Sequence, residues 1–140
     1  MIVHMILGPD NRVLGVAHSQ HDFTTSIEMS ESVYNEITNN GYDGYFVENG
    51  MLVKKMSYLN LLSQQRNVDA FRSWRSQRLA KYDLIRLCAL NGDIDPATNQ
   101  PYPAITEAEK QWRVEVLNFT DQITHETTEA DYPEPPERLR

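Results

Sequence analysis

Between Ser57 and Leu90 the chain contains neither glycine nor proline, and the stretch stops at Asn91-Gly92. A run of this length with a left-handed-tolerant stop has to be mostly helix, and it separates two regions punctuated by turns. Val68, Phe71, Leu79, Tyr82 and Leu87 recur near a 3.6-residue period, with Trp74, Arg75, Arg78 and Arg86 beside them. That pattern predicts helix over at least residues 68–90. Residues 57–67 read either as a separate turn or as the start of the same helix.

Upstream the signals are those of short strands. Residues 2–7 and 13–17 are β-rich and flank Pro9-Asp10-Asn11-Arg12, a turn composition, so they predict a hairpin. Residues 24–29 alternate weakly as a third strand. Ser30 is placed to N-cap a helix beginning at Glu31, with Val33, Tyr34 and Ile37 on one face and Asn39-Asn40-Gly41 as its stop. Gly44-Tyr45-Phe46-Val47 and Met51-Leu52-Val53-Lys54 then enclose Asn49-Gly50, the strongest hairpin signal in the sequence, because a type I′ turn needs positive φ at both central residues.

Downstream, Pro96, Pro101 and Pro103 mark residues 93–105 as a loop. Thr106-Glu107-Ala108-Glu109 has the form of a capping box, opening a helix that carries Trp112, Val116, Phe119 and Ile123. The two long helical segments are expected to pack as an antiparallel hairpin. Residues 126–140 combine Glu126, Glu129, Asp131, Glu134 and Glu137 with Pro133, Pro135 and Pro136, which in isolation predicts disorder. Order there requires a partner chain or the body of the protein to hold the segment. The expected fold class is α+β: a small unit of β-hairpins plus one helix over 1–56, a helical hairpin over 57–125, and an extended acidic Pro-rich tail over 126–140.

With 140 residues there is room for one ordinary domain or two very small ones, which excludes a large multi-domain enzyme. Hydrophobic residues at 40% and charged residues at 24% are globular values, so the chain should fold. The net charge of −7 argues against non-specific nucleic-acid binding, which needs a broad basic surface. That charge is uneven. Residues 1–53 hold seven acids against Arg12 alone, whereas Arg66, Arg72, Arg75, Arg78, Lys81 and Arg86 face only Asp69 and Asp83 within residues 66–86. A single cysteine, Cys88, allows no internal disulfide, and the short apolar opening is unlike an export signal or a membrane span, so cytosolic synthesis is expected.

Catalytic and metal-binding patterns are weak. His18 and His21 have a spacing found in some zinc sites but lack a third ligand nearby. Asp93-Ile94-Asp95 opens like a calcium loop, yet Thr98 and Ala104 occupy the positions that need glycine and glutamate. No phosphate loop, nucleophile elbow or Cys-His pairing is present, and the Asp83 and Asp121 carboxylates are better read as partners of nearby arginines or as turn caps than as a catalytic pair. No cofactor is expected. The recurrence of Arg72, Arg75 and Arg78 would suit a DNA-reading helix, but Phe71 and Trp74 interrupt it and no helix precedes it across a short turn.

Three segments, Phe71–Asp83, Ile105–Leu117 and Tyr132–Pro136, together resemble the C-terminal module of phage tail fibre assembly proteins, the tail assembly chaperone family. The resemblance covers about half of the chain, and it lies in the order and spacing of the motifs. Trp74, Arg75 and Arg78 fit the first motif, Thr106, Glu109, Trp112 and Arg113 the second, and Tyr132, Pro133 and Pro136 the last. Leu79 and Asn118 depart from it, standing where or near where the family has aspartates, which leaves the arginines in need of other partners.

The resemblance implies a non-enzymatic protein that binds a trimeric tail fibre and assists its folding or assembly in the host cytoplasm, with release or retention in the virion as a fibre cap. The alternative is a structural tail or baseplate adaptor of the virion. A third reading, a small nucleic-acid-binding regulator, rests on residues 66–86 alone. Self-association is a further expected mode, and no membrane partner is expected. The expected partner-binding residues are Trp74, Arg75, Arg78, Tyr82, Trp112, Arg113, Tyr132, Pro133 and Pro136, because tryptophan, tyrosine and arginine supply most interface anchors.

Overall fold

The structure, a computed structural model, describes residues 1–140 and belongs to the α+β class. The chain divides into two units, Met1–Leu61 and Leu62–Arg140. The division falls inside the long helix rather than at residue 56, and residues 126–140 belong to the second unit instead of standing apart as a tail.

In the first unit, strands β1 (Ile2–Leu7), β2 (Val13–Ala17) and β3 (Thr24–Glu28) form an antiparallel sheet with β1 in the centre. The hairpin between β1 and β2 turns through Asp10 and Asn11, both at positive φ, a conformation their short polar side chains tolerate. Alternation on β1 sends Val3 and Met5 into the core, where Met5 lies opposite Val16 and Thr25. Helix α1 (Glu31–Asn40) begins where the Ser30 hydroxyl accepts the Val33 N–H at 3.2 Å, and it buries Ile37.

Strands β4 (Tyr45–Glu48) and β5 (Met51–Lys54) pair around Asn49 (φ 52°) and Gly50 (φ 76°), the turn that the Asn-Gly pair predicts. Val3, Met5, Val13, Ile27, Met29, Ile37, Tyr45 and Val47 make one core. Gly44 (φ 84°) is required twice over, since a Cβ there would lie 2.7 Å from Leu59 Cγ.

Helix α2 runs unbroken over Met56–Asn91, so residues 57–67 start the same helix. Its buried positions are Phe71, Tyr82 and Ile85, the last two one helical turn apart, while Leu87 is 57% exposed. Ile85 thus holds the core position that the periodicity assigned to Leu87. Beyond it, two-residue strands β6 (Ile94–Asp95) and β7 (Gln100–Pro101) pair within the stretch expected to be loop.

Helix α3 (Glu107–Asn118) starts at a complete Thr106/Glu109 capping box and gives way to a 3₁₀ turn over Phe119–Gln122. Phe71, Tyr82, Ile85, Trp112, Val116, Phe119, Ile123 and Leu139 form the second core. As α2 advances from Gln64 through Phe71 and Arg75 to Tyr82, its partners recede from Ile123 through Phe119 and Val116 to Arg113.

The acidic Pro-rich segment carries only two 3₁₀ turns, Glu129–Asp131 and Glu137–Leu139, yet it is not loose. Leu139 is fully buried in the second core, with Tyr132 packed beside it. The composition predicts disorder because it counts prolines and acids; three side chains, Tyr132, Arg138 and Leu139, supply apolar burial and an ion pair to a buried carboxylate.

Candidate functional site

The three motifs of the second unit meet in one aromatic cluster. Phe71 and Trp74 from α2 stack with ring centres 5.7 Å apart, and Tyr132 sets its ring against both, at 4.8 and 4.9 Å. Trp112 from α3 meets Trp74 edge-on at 6.3 Å and donates its indole N–H to the Pro133 carbonyl at 3.1 Å. Offset and edge-on contacts at these separations suit ring quadrupoles and add to the gain from burial. Burial, with a contribution from the Glu129 charge, pushes the Tyr132 phenol above its usual range.

Around this cluster the arginines have unusual partners. Arg75 lies 5.7 Å from the Phe71 ring centre and reaches the Val116 carbonyl (3.5 Å) and the Thr120 hydroxyl (3.4 Å). Arg78 covers the Trp74 ring at 4.3 Å and donates to the Trp74 carbonyl at 3.3 Å, while its enclosed Nε finds no acceptor. Arg113, exposed, lies 5.8 Å from the ring centre of the buried Tyr82. None of the six ion pairs of the structure involves a basic residue of α2, Arg113, Asp83 or Asp121. The expected pairing of those aspartates with neighbouring arginines does not occur.

The expected site residues therefore fall into three environments. Tyr82 and Trp112 are interior, and Trp112 is 3% exposed. Trp74, Arg75, Arg78, Tyr132, Pro133 and Pro136 are half-buried, and Arg113 stands in solvent. Trp74, Arg78, Tyr132 and Pro133 line one open groove together with Glu129, Ala130, Glu134, Pro135 and Arg140. Pro136 lines a neighbouring depression with Trp112, and Tyr82 another with Arg86 and Ile105.

A connection that the motifs leave out holds the segment in place. Arg138 donates to both oxygens of Glu109, with Nη2 to Oε1 at 2.7 Å, and to the carbonyls of Pro103 (2.9 Å) and Ala104 (3.0 Å). Glu109 is 3% exposed and also accepts the Thr106 N–H at 2.8 Å. Hydrogen bonding from Arg138, aided by Thr106 and opposed by burial, lowers the Glu109 carboxyl to about 2. In the sequence, Arg138 and Leu139 appear only as a cation and an apolar residue at the end of an acidic Pro-rich run.

The histidines expected to be weak metal candidates lie exposed between β2 and β3, where His21 stacks on Phe23 and its Nε2 lies 3.1 Å from the Ser19 hydroxyl. No group of three or more His, Cys, Asp or Glu side chains converges as a metal site, and no helix is long and apolar enough to cross a membrane. Compared with protein-family models, with curated proteins and with solved structures, the chain finds no match.

Proposed function

We propose that the chain is a phage tail fibre assembly chaperone that binds a trimeric tail fibre and assists its folding and assembly in the host cytoplasm. The observation that carries this reading is the meeting of the three family-like motifs, Trp74-Arg75-Arg78, Trp112-Arg113 and Tyr132-Pro133-Pro136, around one aromatic cluster. Segments as far apart in the sequence as Trp74 and Pro136 have a common purpose if they build a single surface. In this reading α2 and α3 form the helical hairpin of the family's C-terminal module, and the Pro-rich segment clasps it.

The logic of such a role is physical. A fibre trimer in the course of folding exposes apolar surface and unpaired strand edges, which associate wrongly unless covered. A surface of half-buried aromatics and arginines without carboxylate partners suits a protein partner, because those residue types anchor interfaces. The role is non-enzymatic and calls for no cofactor. Expression of the adjacent fibre with and without this chain tests it: the chaperone raises the yield of soluble trimer, and an unchanged yield contradicts the reading.

A further inference from the structure

We infer that one exposed side of α2 is a docking surface for the same side of α2 in a second copy of this chain, the two helices running antiparallel about a two-fold axis that passes between Gln77 and Arg78. Such pairing neither requires nor excludes the binding of a fibre.

Four charged residues carry it. Asp69, Arg72, Asp83 and Arg86 are all exposed and lie in the second unit, and none of them enters an ion pair. Asp69 with Arg72, and Asp83 with Arg86, have the spacing at which neighbours on one helix can pair, and neither couple does so. The second aspartate and arginine follow the first by fourteen residues, about four turns, so both couples fall on one side of the helix with Ser76 and Leu79 between them.

The order of these charges names the occupant. Asp69 and Arg86 are equidistant from the point between Gln77 and Arg78, and so are Arg72 and Asp83. A helix laid antiparallel on its own copy about that point sets Arg86 of the second copy level with Asp69, and Asp83 of the second copy level with Arg72. The two-fold axis repeats both pairs, as a self-complementary interface requires. A parallel copy in register sets aspartate against aspartate, and an antiparallel copy displaced by one heptad in either direction loses every pair. A uniformly acidic or uniformly basic partner leaves two of the four charges facing their own sign, which opposes association. Apolar surface adds to the pairing: half-buried Leu79 faces the small Ser76 of the second copy at the centre, and Leu90, 74% exposed, faces the stem of Gln65 of the second copy at either end.

Sedimentation of the full chain at concentrations up to about 1 mM tests the pairing. A dimer that weakens as salt is added is the expected result. Arg72→Asp or Asp83→Arg alone sets like charges together twice in each dimer and should weaken association at least about tenfold. The two single variants mixed in equal amounts should recover it, because each supplies the sign that the other lacks, and so should one chain carrying both substitutions. Recovery in the mixture also shows that both variants fold. If either does not, Arg72→Gln and Asp83→Asn replace them, and each should weaken association about tenfold. A chain that stays monomeric at every concentration, a dimer indifferent to these substitutions, or a mixture no stronger than its components overturns the inference.

Discussion

Arg138 closes on the buried carboxylate of Glu109, and its Nη2 shares Oε1 with the Thr106 backbone N–H, at 2.7 and 2.8 Å. One glutamate thereby caps α3 and anchors the Pro-rich segment, so the start of a helix and a segment about thirty residues away share one ion pair.

That sharing makes stability pH-dependent. A carboxyl lowered from 4.5 to about 2 contributes stability that is present above pH 4.5 and lost as pH falls towards 2. At about 1.4 kcal/mol per pH unit the contribution is about 3 kcal/mol. Glu109→Gln should be less stable than the parent by that order at pH 7, and the gap should close between pH 4.5 and pH 2. Urea unfolding of both proteins across this range, followed by tryptophan fluorescence, measures it.

Leu139 is fully buried among Phe71, Trp112 and Phe119. Leu139→Ala should cost about 2–5 kcal/mol, the usual loss for a core leucine, whereas Glu137→Ala on the exposed side of the same turn should fall within about 0.5 kcal/mol of the parent. Denaturant midpoints of the two variants, set side by side, show whether the segment is structural.

In the first unit, Gly44→Ala meets both an unfavourable φ of 84° and the Leu59 side chain at 2.7 Å. A destabilisation of at least about 1–2 kcal/mol is expected. Gly15→Ala, where a Cβ would meet nothing within 4 Å, should be close to neutral. Thermal melting of the pair gives the comparison.

Cys88 is held protonated. Burial, the negative charge of Asp93 and a hydrogen bond to that carboxylate all raise its thiol above the ordinary value. Asp93→Asn should bring the thiol down and speed its reaction with a disulfide reagent at pH 8. Equal rates in both proteins would contradict the role of Asp93.

Much of the fold is legible because local rules act alone there. Ser30 and Gly41 bracket α1, Asn49-Gly50 makes the β4–β5 turn, and Thr106 with Glu109 opens α3, each by backbone chemistry within a few residues. The periodicity of α2 is legible too, but Leu87 and Ile85 are both apolar, and only the position of α3 decides which is buried. The least legible part is the last fifteen residues. Their composition is acidic and Pro-rich, and their order comes from long-range contacts of Tyr132, Arg138 and Leu139 that no local pattern encodes. The candidate site has the same history: the family resemblance singles out Trp74, Arg78 and Tyr132, whereas the missing acceptor of Arg78 is visible only once every carboxylate has been placed.

The central claim is that the surface where the three motifs meet engages a tail fibre. Hydrogen–deuterium exchange of the chain, alone and with the purified fibre trimer, tests it most directly. Protection on binding concentrated over residues 71–82 and 129–136 is the predicted result. Absence of a complex, or protection confined to residues 1–61, would contradict it.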